Sequence, residues 1–224
     1  MGEGQGDRVV VAGALREHPA AEAFARVVHR VHHRYATEVV RAYTLCPHMA
    51  SDPDKAFGTF AVMLDREVDV EGAVAEVLRA PSQVVHLVYP LITDDVPAFE
   101  QHGQALHRAV AEAFSARGGR APVHAAFHPR MQGDATSASR LVGLLRQAPD
   151  PFVQFVPEGL HEGGTQFIDM STFDPATYVP PPPPRAEGNL ERLDADDIRN
   201  IADLIAEIRG ERDRSYEEHL HALS

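Results

Sequence analysis

The single cysteine of the chain, Cys46, is followed at once by Pro47 and His48 in the segment AYTLCPHMAS. A thiolate beside an imidazole can act as a nucleophile or a metal ligand, and cysteine thiolates also ligate haem iron. A free cysteine is equally among the residues most often buried as a small hydrophobe. The segment therefore leaves two interpretations open: a reactive or ligating thiol, or a buried side chain at a helix end.

A second set of polar side chains lies where two predicted strands end. Tyr89 comes near the end of QVVHLVYPL and His128 near the end of PVHAAFHP, with Arg130 and Gln132 shortly after it. Parallel strands end at one edge of a sheet, where ligands bind, so we expect these side chains to lie together. His128 would be an acid/base or a metal ligand, and Tyr89 and Arg130 would orient a substrate. The alternative is a half-buried histidine that donates to a backbone carbonyl.

A histidine-rich stretch, VHRVHHRY, invites a metal interpretation. His29 and His33 are four residues apart, the spacing of helical metal pairs, but Arg30 and Arg34 stand among them. A solvated basic face is the favoured interpretation. His32 lies about 21 Å from Cys46 along a straight helix, so these two cannot share an ion. The Gly-rich segment GLHEGGTQF (159–167) matches no phosphate-binding motif and is read as a lid or an ordinary turn.

The elements that position these residues follow from apolar periodicity. Apolar side chains recur at steps of three and four over 19–45, which predicts a long N-terminal helix. Strands are predicted over 57–64, 83–91, 122–129 and 151–158, and helices over 69–80, 94–117 and 136–147. The alternation predicts an α/β fold with about four or more mainly parallel strands and flanking helices.

The C-terminal part of the sequence changes character at a run of prolines. PPPPP at 180–184 predicts an extended polyproline spacer. The helix predicted after it carries a stripe formed by Ile198, Ile201, Ile205 and Ile208. We interpret the chain as one α/β domain over 1–178, a Pro-rich linker over 179–188, and a C-terminal helix over 189–224 that docks on the domain. A free, partner-binding helix is the alternative.

Composition limits the classes of function. The chain has 224 residues, 44% of them hydrophobic, and a formal net charge of -12, which gives nucleic-acid binding no electrostatic support. No apolar run reaches the roughly 18 to 20 residues of a membrane span, and one cysteine cannot form an internal disulfide. A cytoplasmic protein without a membrane or nucleic-acid partner is expected, and a homodimer is allowed.

Four short motifs occur in order between residues 22 and 160: LCP (45–47), VYP (88–90), AFHP (126–129) and RQAPDPFVQF (146–155). Their order and spacing resemble the bacterial family known as domain of unknown function 1415. The resemblance implies an α/β architecture and candidate positions, among them Arg146, but no activity. The chain departs from the family pattern at His48, where a Phe is usual, and at Tyr89 and Gln154, where histidines are usual. The resemblance thus implies a divergent member.

Together these observations predict a small-molecule enzyme with redox chemistry at iron or haem. No GxSxG elbow or Ser-His-Asp order favours hydrolysis. Cys46, His128 and His48 are the expected metal ligands, and Tyr89 joins Cys46 and His128 as a catalytic candidate. The expected substrate-binding residues are Arg130, Gln132, Arg146 and Gln154. The alternative is a non-catalytic binding or scaffold protein in which Cys46 and His128 are structural.

Overall fold

The computed structural model describes residues 9–43, 45, 58–80, 84–133, 138–157 and 193–223, with the side chains of 138–141 excepted. Cys46, His48, the Gly-rich segment at 159–167 and the proposed linker at 179–188 lie outside the described residues. The predictions made for them, and the domain division at 178 and 189, therefore stay predictions.

Helices and strands follow one another in the predicted order, with somewhat tighter bounds. In chain order they are β1 (Val9–Ala12), α1 (Ala21–Tyr35), a π-helical segment (Ala36–Arg41), β2 (Thr59–Met63), α2 (Val70–Arg79), β3 (Val85–Val88), α3 (Val96–Ser115), β4 (Val123–Phe127), α4 (Ala138–Leu145), β5 (Phe152–Val156) and α5 (Ala195–Ala222). Strand β1 was not predicted, because four apolar residues are too short a run to be distinguished from a loop. None of the described helices has the length and apolar character that a membrane span requires.

The five strands form one mixed sheet in the order β1-β2-β3-β5-β4. Strands β1, β2 and β3 are parallel, and β5 runs antiparallel to both of its neighbours, β3 and β4. The predicted α/β class is confirmed, but β5 departs from the parallel arrangement because the connection through α4 returns the chain at the edge where β4 ends. The backbone N–H of His128 donates to the carbonyl of Arg146 (3.0 Å), which holds this return close to the strand end.

Helices cover both faces of the sheet and define two cores. Helices α1 and α5 pack with β2, β3 and β5 side chains such as Phe60, Val88 and Phe152 on one face. Helices α2 and α3 pack with Met63, Leu87 and other side chains on the opposite face. Because neighbouring residues of a strand point to opposite faces, each strand contributes alternate side chains to the two cores.

Helix α5 lies against α1 and reaches across the edge where the parallel strands end. Ile201, Ile205 and Ile208 are buried in the core that α1 also lines, whereas Ile198 is half-buried. The predicted isoleucine stripe is thus an intramolecular packing surface. Asp194 begins the helix by accepting hydrogen bonds from the backbone N–H groups of residues 196 and 197 (2.8 Å each), which satisfies donors that lack a helical partner.

Candidate functional site

A pocket of about 290 Å³ opens beyond the C-terminal ends of β3 and β4, and we call it the sheet-edge pocket. Four segments line it. They are the loop after β3 (Ile92, Thr93, Asp94), the loop after β4 (His128, Pro129, Arg130), the segment before β5 (Pro149, Pro151), and one side of α5 (Arg209, Arg212, Asp213). The pocket lies at the sheet edge that the strand-end residues predicted.

His128 is 3% exposed and ties the two loops of the pocket together. Its Nδ1 accepts a hydrogen bond from the backbone N–H of Arg130 (3.0 Å), so the ring proton sits on Nε2, which donates to the carbonyl of Asp94 (3.1 Å). Burial, reinforced by the charges of Arg130 and Arg209, lowers the pKa of His128 below its ordinary value, against the opposing effects of the Asp94 carbonyl and Asp95. The imidazole is therefore held neutral, as in the structural alternative.

Both ring nitrogens of His128 are thus occupied by backbone groups. In this arrangement the ring does not fit a metal or haem iron, since a ligand nitrogen needs a free lone pair. Among the described residues, no group of three or more histidine, cysteine or acidic side chains is placed to hold a metal ion. Cys46 and His48 lie outside this part of the chain, so their metal and catalytic roles stay predictions.

Arg130 is the second sequence-predicted residue that the structure places on the pocket. Its Nη2 donates to the carbonyls of Thr93 (3.1 Å) and Asp94, which anchors an otherwise exposed side chain over the opening. Tyr89, by contrast, is fully buried in the second core, with its ring centroid 5.9 Å from that of Phe99. Burial first, and then the charges of nearby carboxylates, raise the pKa of Tyr89. Tyr89 does not line the pocket.

The remaining predicted substrate contacts lie elsewhere. Gln154 is in the middle of β5, where its Nε2 lies 2.9 Å from Nε2 of His86 on β3. The Arg146 guanidinium lies 5.9 Å from the centre of the Phe127 ring. Gln132 is exposed in the loop after β4 and does not line the pocket. The structure therefore places His128 and Arg130 on the pocket, whereas Gln132, Arg146 and Gln154 do not line it.

A buried charge cluster behind the pocket was missed by the sequence reasoning. Asp150 is 0% exposed. Its Oδ2 accepts a hydrogen bond from the Tyr216 hydroxyl (2.6 Å) and lies 3.1 Å from Nε2 of His32. Its Oδ1 lies 2.9 Å from both Nε and Nη2 of Arg212. We call these four residues the Asp150 cluster. It joins α1, the segment before β5 and α5 at one point.

The charge of Asp150 is stabilised by its neighbours. Burial alone would raise the pKa of Asp150, but the contact with His32, the positive charge of Arg212 and the hydrogen bond from Tyr216 together hold it below its usual value. The same burial, with the adjacent carboxylate, raises the pKa of Tyr216 well above its ordinary value. Asp150 is thus an anion whose role is to fix Arg212 and Tyr216 of α5.

Two sequence signals could have pointed to this cluster. His32 follows Val28 by four residues and precedes Tyr35 by three, so it stands in the apolar stripe of α1, where a polar side chain needs a partner. Arg212 and Tyr216 are also four apart, so they share one face of their helix. What the pattern could not supply was the partner, because Asp150 is 118 residues from His32.

Comparisons with models of protein families, with curated proteins and with solved structures give no significant match. The resemblance to domain of unknown function 1415 therefore stays a prediction.

Proposed function

We propose that the chain is a small-molecule enzyme whose substrate binds in the sheet-edge pocket. The observation that supports this is the convergence of four chain segments on one opening beyond the strand ends, with Arg130 beside it. Ligands of α/β proteins bind at this edge, and a volume of about 290 Å³ has room for a small metabolite. Arg130 would contact the substrate, and His128 would hold the loop that carries Arg130.

The type of reaction is a further proposal. Redox chemistry at iron or haem would require the Cys46 thiolate, with His48 as a second ligand, to lie near the pocket. The hydrogen bonds of both His128 ring nitrogens to backbone groups do not favour His128 as a metal ligand. The cytoplasmic location, the homodimer, the long N-terminal helix up to residue 45 and the polyproline spacer also belong to the proposal.

One observation favours a second candidate, a non-catalytic binding protein. His128 makes the two backbone hydrogen bonds expected of a structural histidine. In that case the pocket would hold a small molecule without changing it. The two candidates share the binding site and differ in whether the bound molecule is converted.

A blocked pocket tests the shared part of the proposal. Thr93 is exposed on the pocket wall, so Thr93→Trp should fill the opening, whereas Glu100→Trp places the same side chain on an exposed face of α3. In a thermal-shift screen of metabolites covering neutral, cationic and anionic compounds, we expect ligands that stabilise the wild type and Glu100→Trp but not Thr93→Trp. Ligands that stabilise Thr93→Trp equally, or none for the wild type, would exclude the site.

Two further measurements separate the candidates. Mass spectrometry of the recovered ligand shows whether it has been converted, and an unchanged ligand favours the binding protein. Metal analysis and the visible absorption spectrum of the full chain, compared with those of Cys46→Ser, test the iron or haem proposal. Cysteine-dependent metal or haem content is the expected result, and identical spectra with no metal would refute it.

A further inference from the structure

We infer that the ligand of the sheet-edge pocket is a small anion whose carboxylate or phosphate group is bound by Arg130 and Arg209. The inference rests on the proposed function, because it names the class of molecule that the pocket takes. It gives α5, already one wall of the pocket, a direct role in ligand binding, because Arg209 belongs to that helix.

Arg130 and Arg209 have more guanidinium donors than their contacts with the described residues use. An arginine side chain offers five N–H donors. Within the described residues, Arg130 uses Nη2, toward the carbonyls of Thr93 and Asp94, and Arg209 uses Nη1, toward the Gln147 side-chain oxygen at 3.3 Å. These acceptors are neutral, and no carboxylate of the described residues lies within ion-pair distance of either guanidinium. Among the described residues, no carboxylate therefore compensates the charge of either arginine, and each guanidinium group has several donors left for a ligand.

Arg212 differs from the other two arginines. Its Nε and Nη2 face Asp150, Nη2 also donates to the carbonyl of Pro90 (3.3 Å), and Nη1 lies 3.0 Å from Asp213. Its charge is compensated by two carboxylates, and each of its nitrogens has a partner. Arg212 is thus a fixed wall of the pocket, and the ligand-binding charge falls to Arg130 and Arg209.

The acidic residues of the pocket are themselves paired. Oδ2 of Asp94 lies 3.0 Å from Nε2 of His102 on α3, and Asp213 faces Arg212. The carbonyls of Thr93 and Asp94 already accept from Arg130 and His128. Each of these two carboxylates therefore has one oxygen engaged by a protein partner, whereas the guanidinium groups of Arg130 and Arg209 contact only neutral acceptors among the described residues.

Four of the other lining residues add no side-chain donor. Pro129, Pro149 and Pro151 have no backbone N–H, and Ile92 is apolar. A ligand that satisfies the remaining donors must be rich in acceptors and negatively charged. Planar guanidinium groups bind the two oxygens of a carboxylate or phosphate side by side, which matches this pair. The class that fits is a small carboxylate or phosphate compound.

Titration of the full chain with matched compounds tests the inference. The probes are succinate, inorganic phosphate, the neutral succinamide and the cationic 1,4-diaminobutane, at constant ionic strength and followed by calorimetry. We expect succinate or phosphate to bind and the neutral and cationic compounds to bind at least about tenfold more weakly, since a charged hydrogen bond is worth roughly one decade or more of affinity. The comparison of succinate with phosphate decides which anion is preferred.

Variants assign the binding to the two arginines. Arg209→Gln should weaken anion binding about tenfold or more, and Arg209→Lys should do so less because the charge is kept. Arg199→Gln, on the same helix but paired with Asp196 in solvent, is the matched control and should bind like the wild type. Arg130→Gln, in the loop after β4, tests the second arginine and should also weaken anion binding. Melting temperatures show whether each variant is folded.

The outcomes separate this inference from the proposed function. Succinamide binding as tightly as succinate, with both blocked by Thr93→Trp, would overturn the anionic class and leave the site intact. Unchanged anion affinity in a folded Arg209→Gln variant would also overturn the inference. If that variant does not fold, unchanged affinity in both Arg209→Lys and Arg130→Gln would do so. Absence of any ligand that Thr93→Trp blocks would remove the proposed function as well.

Discussion

Replacing Asp150 with alanine tests the charge arrangement that fixes α5 across the sheet edge. The variant removes the acceptor of the buried Tyr216 hydroxyl and of His32, and it leaves the partly buried Arg212 with Asp213 and a carbonyl. Removing one partner of a buried ion pair costs about 3–5 kcal/mol, because the other group is left without compensation. We expect the free energy of unfolding to fall by about this amount.

Urea denaturation at neutral pH, with the slope of the transition compared between variants, measures the change. For a chain of this size about 1 kcal/mol corresponds to roughly 2–4 °C, so the melting temperature should fall by about 6–20 °C. Asp213→Ala is the matched control. It removes a carboxylate 3.0 Å from the same arginine, but one that is 71% exposed, and exposed pairs contribute about 0–1 kcal/mol.

Equal losses in Asp150→Ala and Asp213→Ala, or a loss below about 1 kcal/mol in both, would refute the reasoning. The packing of the isoleucines alone would then account for the position of α5. A large loss confined to Asp150→Ala would show that the buried carboxylate is a main determinant of that position.

Three other perturbations follow from the structure. Gly13→Ala should be more destabilising than Gly118→Ala in urea. Both glycines have positive φ (93° and 71°), but of the two only Gly13 has atoms, among them Oδ2 of Asp65, that an added Cβ would clash with. Equal losses would contradict this. Burial lowers the pKa of His128 below the ordinary value of 6.5. Below about pH 6.5 the unfolded chain therefore binds more protons at this residue than the folded chain does, so the free energy of unfolding should decrease as the pH falls. The slope of unfolding free energy between pH 7 and 5 should be smaller in His128→Asn, and an equal slope would contradict this. Val31→Asp buries an unpaired carboxylate at a fully buried position, and an unchanged melting temperature would show that α1 does not pack as described.

Local patterns were sufficient for most helices and strands. The apolar runs that became β2 and β3 are nearly continuous because both faces of the sheet are covered, and such runs are recognised without knowledge of partners. The direction of β5 was not predictable in the same way. An α/β alternation favours parallel neighbours, and whether a helix crosses the sheet or returns the chain at one edge depends on tertiary contacts such as the hydrogen bond from His128 to residue 146.

In the candidate site, too, some residues could be predicted from local sequence and others depend on tertiary structure. His128 and Arg130 were predicted from their place after a strand, and both line the pocket. Tyr89 satisfied the same rule but is fully buried in the second core, with its ring against Phe99. Both Tyr89 and His128 lie near Phe99, so side-chain alternation along the strands does not distinguish them. Arg209 could not be assigned, because nothing local relates a helix near the C-terminus to the end of β4.

The position of β5 between β3 and β4 has a consequence for synthesis of the chain. β3 and β4 are made before β5. At that stage β3 has only β2 as a neighbour, and β4 has none. Until β5 has left the ribosome, both strands carry unpaired edges of the kind that promote association with other chains. Asp150 is also made before Arg212 and Tyr216, so a nascent chain that ends before α5 has the anion without these two donors. β5 therefore completes the sheet, and α5, which follows it, completes the pairing of the buried charge and the wall of the pocket.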